Sequence, residues 1–345
     1  MMDKSLLDTL PHRRMEAWKW TDVRRELGDE HVSGFSQICV PNIVVPKGIA
    51  VTQATYVPIT TPMSALAARF VDKCTIISVP ENYKSGESIR IDVLENGHAS
   101  IVFKIAKGAE IIVEEIHKTD TPSFINLEFV FELAQGAKLT RQISHHDHAD
   151  TTRICTAHIN TWADVSITQH ALSFGGGLAR FETRIASLGE NLKAEINGAY
   201  LLKDKRHCDM TSYIDLGAPN AHIRQSVKGV VTDKARGVFQ GKFHVRRPAQ
   251  HTDAEMRHDA IMLSDTCEIR AKPELEIYAD DVACAHGDTV GALDESALFY
   301  MRSRGIPLKQ SRALLTQAFV SQAFENMDDN AEFTKQVSNW LEQNA

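Results

Sequence analysis

Four short stretches decide how this chain folds: Lys107-Gly108-Ala109-Glu110-Ile111, Gln135-Gly136-Ala137-Lys138-Leu139, Thr161-Trp162-Ala163-Asp164-Val165 and Leu188-Gly189-Glu190-Asn191-Leu192. Each sets a tight turn ahead of a strand, and successive stretches lie roughly 26 to 28 residues apart. Such a unit cannot cover its own apolar face, so units of this period stack. The sequence between the turns agrees. Ile89, Ile91 and Val93 alternate with other residues, as do Ile101, Phe103 and Ile105, then Ile111 and Val113, then Leu127, Phe129 and Phe131. Alternation puts each set on one side of a strand, and stacking joins the sets into one apolar column. The reading is a mainly β chain, a β-solenoid. A β-sandwich also gives strands at short spacing and stays open on these residues alone.

Outward from this core the texture changes on both sides. Arg13-Arg14-Met15-Glu16-Ala17-Trp18-Lys19-Trp20-Thr21-Asp22 reads as a short docking helix or turn. Pro41, Pro46, Gly48, Pro58 and Pro62 then punctuate a connecting region, and Ser64 to Val71 reads as a short helix with Leu66 and Phe70 on one face. Beyond Gly291, Asp294 caps a helix that Gly305 and Pro307 end. A second helix follows from Leu308, and a third from about Asn330 aligns Phe333, Val337, Trp340 and Leu341. That stripe suits either helix packing or a partner's groove. The expected division is residues 1–75, an N-terminal helical or irregular region; 76–290, the β core; and 291–345, a C-terminal helical domain.

The 345 residues, 43% hydrophobic and 24% charged, are those of a globular protein able to bury a sizeable core. A net charge of -7 with no basic block argues against nucleic acid. Met1 to Arg14 lacks the apolar stretch of a signal peptide, and no run approaches the ~18 apolar residues of a membrane span. A cytoplasmic protein without membrane contact is expected. The six cysteines form no C-x-x-C pair, so structural zinc is not written here and thiols in the core are expected.

Catalytic patterns are missing from the sequence. There is no P-loop, no G-x-S-x-G elbow, no H-E-x-x-H and no catalytic-cysteine signature, and Gly175-Gly176-Gly177 reads as a flexible turn. No enzymatic activity is expected. His145-His146-Asp147-His148, with His158 and His170 further on, offers metal ligands, but neighbours on a strand face opposite ways, which favours a solvated turn. The densest polar cluster is Ala279-Asp280-Asp281-Val282-Ala283-Cys284-Ala285-His286-Gly287-Asp288. Cys284 and His286 alternate and so share a face, where a thiolate and an imidazole suit a soft metal or a nascent iron-sulfur unit. Two ligands do not complete a tetrahedral iron site, so a second chain must supply the others. Asp280-Asp281 also invites comparison with calcium-binding β-helical polysaccharide lyases, which need more carboxylates than this stretch has.

Around this cluster the chain resembles the SufB/SufD family of iron-sulfur cluster assembly proteins. The likeness runs through Lys228-Gly229-Val230, Ala235-Arg236-Gly237-Val238-Phe239-Gln240-Gly241-Lys242, Ala249-Gln250-His251-Thr252-Asp253, Lys272 to Gly287, Thr289-Val290-Gly291, Leu293-Asp294 and Ala297 to Ile306. Trp18-Lys19-Trp20-Thr21 resembles the family's N-terminal Trp-Lys-Tyr-Thr element. Chain length and the Cys-x-His-Gly pattern favour the SufD branch over the SufB branch. The resemblance implies a right-handed parallel β-helix with helical termini and a scaffold role in a SufBCD-type complex. It implies heterodimer pairing with a SufB-like protein, or a homodimer when alone, and C-terminal helices that dock the SufC-like ATPase. It further implies no tightly bound cofactor of its own. The chain would assist iron entry, and a transient iron-sulfur cluster would form at the partner interface, with His286 and Cys284 as its candidate residues and His286 the candidate metal ligand. The sequence departs from the family pattern at Ala254 for the usual glycine, His258 for asparagine and Asp288 for alanine. A stand-alone metal-binding β-helix module and, behind it, a β-helical polysaccharide-active enzyme are the alternatives.

Overall fold

The computed structural model describes residues 9–27 and 35–344. The first eight residues, which carry part of the expectation of no signal peptide, lie outside them. The chain forms β1 (Asn42–Val44), β2 (Ala50–Thr55), β3 (Lys73–Val79), β4 (Ile89–Val93), β5 (Gly97–Ile105) and β6 (Glu110–Lys118). It continues through β7 (Phe124–Leu133), β8 (Lys138–His146), β9 (Thr152–Thr161), β10 (Ser166–Ser173), β11 (Leu178–Ser187) and β12 (Lys193–Leu202). The last strands are β13 (His207–Leu216), β14 (His222–Val231), β15 (Arg236–Val245), β16 (Asp253–Met262), β17 (Glu268–Ile277) and β18 (Ala283–Gly291). From β3 onward successive strands alternate between two sheets, and within each sheet a strand pairs in parallel with the one two places on. This is a parallel β-solenoid, not a sandwich. Only the opening is antiparallel, β1 on β4 and β2 on β3, so the region expected to be helical or irregular contributes two strands to the sheet edges.

The predicted turns are the corners of the coils. Asn82, Gly108, Gly136, Asp164, Asn191, Asn220 and His251 recur at this corner with positive φ, a conformation open to glycine and tolerated by Asn and Asp. The amide of each of Gly108, Gly136, Asp164, Asn191, Asn220 and His251 donates to a carbonyl of the next coil's turn, those of Gln135, Ala163, Glu190, Pro219, Gln250 and Asp281. Turn chemistry therefore fixes the stacking register as well as the bend. Ile89, Ile91, Val93, Ile101, Phe103, Ile105, Leu127, Phe129 and Phe131 all enter one buried core between the sheets.

Both outer faces are partly covered. Leu10, Trp18, Val23 and Leu27 pack with Met63, Leu66, Phe124, Ile154 and Leu178. Trp18 lies over the buried Arg180 guanidinium at 4.1 Å. The short helices here are α1 (Val23–Leu27) and α2 (Pro62–Ala67), the latter capped by Thr61, whose Oγ1 accepts from the Ser64 amide at 3.1 Å. On the other sheet sit α3 (Glu295–Ser303), α4 (Leu308–Ser321) and α5 (Ala331–Asn344). Asp294 caps α3, accepting from the Ser296 amide at 2.8 Å. Phe333, Val337, Trp340 and Leu341 are buried against Val320 and Phe324 and against Leu172, Ala199, Leu201 and Val230 of the sheet. The aromatic stripe is thus spent on packing. Phe299 and Tyr300 of α3, with Leu308 and Leu314 of α4, are the exposed apolar residues of this region.

Candidate functional site

The solenoid ends on two strands, β17 and β18, each paired on one side alone. A parallel strand with one neighbour leaves a row of backbone N–H and C=O groups unpaired, a template for another strand. Both carry mostly exposed or half-exposed residues, in contrast to the buried strands behind them. Pro273, which lacks an amide hydrogen, stands in β17, an edge position where proline is tolerated.

On β18, Cys284 registers with Ala254, His286 with Met256 and Asp288 with His258 of β16. Ala254 and Met256 are buried in the core column. Residues in register on parallel strands point the same way, so Cys284, His286 and Asp288 continue the inward-facing row onto the last coil. Cys284 packs against the core and is half-buried, and burial pushes its thiol above the ordinary value. His286 is exposed. The structure thus brings the two sequence-predicted site residues together on one face of a free edge.

His258 is fully buried and stacked flat on Phe239 at 4.9 Å between ring centres. Its Nε2 lies 2.8 Å from the Tyr200 hydroxyl and its Nδ1 lies 2.6 Å from Asp288 Oδ1. Two of the positions that depart from the family pattern are therefore in contact with each other.

The other histidines do not converge. His145 is buried between Ser173 Oγ and Asp147, at 2.8 Å from each. Asp147 is held by Arg153 at 2.7 and 2.8 Å. The expected solvated turn is corrected here: His145 and Asp147 occupy inward positions of the core, and only His146 and His148 reach solvent or half-exposure. His170 lies beneath the C-terminal helices, beside Phe324 and the Ala323 carbonyl. His158 sits apart on β9.

A polar cluster that the sequence reading missed lies in mid-core. Glu115, His117 and Cys155 bring ligand atoms within 4.8 Å of one another. Arg141 grips Glu115 at 2.5 and 3.0 Å, and Arg153 Nη1 lies 3.1 Å from His117 Nδ1. Two guanidinium groups already take these donors, and burial pushes the Cys155 thiol up to about 12. The set is built for internal pairing and does not fit a cation. Its signal in the sequence was faint: charged residues falling at alternate, inward positions after Ile111 and Val113.

Comparison with known proteins matches residues 91–319 to the family model "SUF system FeS cluster assembly, SufBD core domain". The iron-sulfur cluster assembly protein SufD of Escherichia coli strain K12 is 31% identical over 234 residues, covering 65% of this chain and 54% of its own. The chloroplastic protein ABCI7 of Arabidopsis thaliana is 30% identical over 239 residues, covering 68% and 50%. An iron-sulfur cluster assembly SufBD family protein of Mycobacterium bovis is 26% identical over 333 residues, covering 90% and 83%. The chain spans about half the length of the first two relatives. The matched segment begins in β4 and runs through the terminal coil into α4, so the coils from β5 on, the Cys284–His286 strand and α3 lie inside it, while α5 lies beyond it. On that match the chain belongs to the SufB/SufD family of the SUF iron-sulfur cluster assembly system, with SufD-like character.

Proposed function

We propose that this chain is a SufD-like scaffold subunit of a SufBCD-type assembly complex and carries out no turnover of its own. The observation that carries the reading is the terminal coil. It offers Cys284 and His286 side by side on a strand whose free edge is ready to accept another chain's strand. A SufB-like partner pairing there would complete the donor set that these two residues leave short. In the absence of that partner, the same edge suits a second copy of this chain. The nascent iron-sulfur cluster is the complex's product, held transiently at this junction and not a resident cofactor.

The exposed Phe299, Tyr300, Leu308 and Leu314 support docking of a SufC-like ATPase on α3 and α4, since ATP hydrolysis has to be supplied in trans. No helix among the described residues is long and apolar enough to cross a membrane, in keeping with the proposed cytoplasmic setting. The stand-alone metal module on His145 to His148 loses support, because His145 and Asp147 face inward and are taken by each other, Ser173 and Arg153, while His146 is exposed.

Anaerobic co-expression with SufB-like and SufC-like chains tests the reading, comparing wild type with His286→Ala for complex mass and for cluster absorption after reconstitution. The expected result is an intact complex that loses its cluster. Recovery of the wild-type chain alone, with both partners present, would sink the scaffold reading.

A further inference from the structure

The N-terminal segment brings two Arg-Arg dipeptides to one place. Arg13 and Arg14 lie in the turn ahead of a short 3-10 turn (Glu16–Trp18), and Arg24 and Arg25 lie in α1. The Arg24 amide donates to the Pro11 carbonyl at 3.2 Å, which clamps the second stretch against the first. The Arg14 amide donates to His12 Nδ1 at 3.2 Å and the Arg25 amide to Asp22 Oδ1 at 3.0 Å, so both turns are fixed locally. Leu10, Val23 and Leu27 are buried against the outer face of the solenoid, which anchors the backbone that carries the arginines. His12, Arg13, Arg14, Asp22, Arg24 and Arg25 together wall an open cavity of about 640 Å³. That volume is in the range of small-molecule sites.

The charges of this cavity are not balanced from within. Elsewhere on the surface arginine meets a carboxylate: Arg236 pairs with Glu268 at 2.8 Å, Arg270 with the same Glu268 at 2.6 Å, and Arg224 with Asp253 at 2.6 Å. Among the described residues no carboxylate pairs with Arg13, Arg14 or Arg25. Asp22, the one acid in the wall, already accepts from a backbone amide. The chain as a whole carries a net charge of -7, so acids are not in short supply. A cleft lined by one sign of charge focuses its field and concentrates counter-ions, and a bound anion relieves the repulsion between the guanidinium groups. The guanidinium fork matches phosphate oxygens bidentately. The wall contains no apolar residue on which a base or an acyl chain could lie.

We propose that this cavity binds an oligophosphate, free or as the phosphate chain of a nucleotide, and that it reads the phosphates and not the base. Arg13 and Arg14 grip from one stretch and Arg25 from the other, so neither stretch suffices alone. The site goes beyond the scaffold reading and does not rest on it. It lies on the outer sheet face near the starts of β7, β9 and β11, where Leu10 and Leu27 pack with Phe124, Ile154 and Leu178.

The test is calorimetric titration of the purified full chain with inorganic tripolyphosphate and, separately, with magnesium-free ATP, at ~0.15 M salt so that weak surface attraction is screened. Wild type is expected to bind both saturably, with affinities within about threefold of each other because the phosphates alone are read. Arg13→Gln with Arg14→Gln, and Arg25→Gln on its own, should each weaken binding about 10- to 100-fold, the loss of charge-assisted hydrogen bonds. Lys104→Gln with Lys107→Gln removes the same two charges from exposed positions elsewhere and should leave affinity within about twofold. All these side chains are exposed, so the melting curves of the variants should match wild type. No saturable binding by wild type, or an equal loss in the lysine variant, overturns the proposal. ATP binding more than about tenfold tighter than tripolyphosphate overturns it too, since the base would then be read. So does tighter binding of a hexaglutamate peptide, which would assign the cavity to an acidic protein segment.

Discussion

Single residues in the middle of this solenoid carry unusual weight, because its core is not purely apolar. The Arg141–Glu115 pair is fully buried, and removing one partner leaves the other charge unpaired. Arg141→Met is expected to cost about 3–5 kcal/mol by chemical denaturation, and pairing it with Glu115→Leu to recover much of the loss. Gly229→Ala should cost about 1–3 kcal/mol, since the added methyl drives into the Tyr200 ring. The apolar half of the core was legible in the sequence: alternation at Ile101, Phe103, Leu127 and Phe129 needs only the pleat. The polar half was not. A strand residue such as Glu115 looks solvent-facing until its partner is known, and Arg141 becomes that partner only after the coils stack. For the same reason Cys284 and His286 could be placed on one face from their spacing, while the link from Asp288 through His258 to Tyr200 spans four successive strands of one sheet and is invisible in one dimension.

Elements show the same division between local and non-local information. The turn corners were readable because positive φ leaves a compositional trace, Gly, Asn or Asp, at a nearly constant period. The capped start of α3 was readable from Asp294 for a similar reason. The destination of the helical tail was not, because a stripe such as Phe333, Val337, Trp340 and Leu341 looks alike whether it meets a sheet or a partner. Its burial on the solenoid moves the expected ATPase contact to α3 and α4. Changing Phe299 and Tyr300 together to Glu should leave the melting temperature of the isolated chain unaltered and abolish co-purification of a SufC-like ATPase. The opposite is expected of Trp18→Ala. That change should destabilise the fold by about 3 kcal/mol or more, because the indole covers Arg180 on the outer sheet face.

At the scale of the whole molecule, acid is a prediction of how the fold fails. His98, His117, His158 and His207 are buried, and burial lowers each from 6.5 to about 4. Below pH 6.5 the unfolded chain takes up protons that the folded chain refuses. Stability is therefore full above pH 6.5, falls as pH drops toward about 4, and levels off below it. Each such group contributes a slope of about 1.4 kcal/mol per pH unit in that window. Melting curves between pH 7 and pH 4.5 check this, and a flat profile would contradict the buried neutral state of these rings.

The N-terminal segment reaches far along the stack: Glu16 pairs with Lys272, Thr21 with Asp209, and Trp18 with Arg180. On the ribosome this reverses the usual order of events. Glu16 emerges 256 residues before the lysine it binds. At about 5–20 residues per second, its partner is made only after some tens of seconds. The coils must wind first, and a segment made well before them reaches its native place only after they have formed.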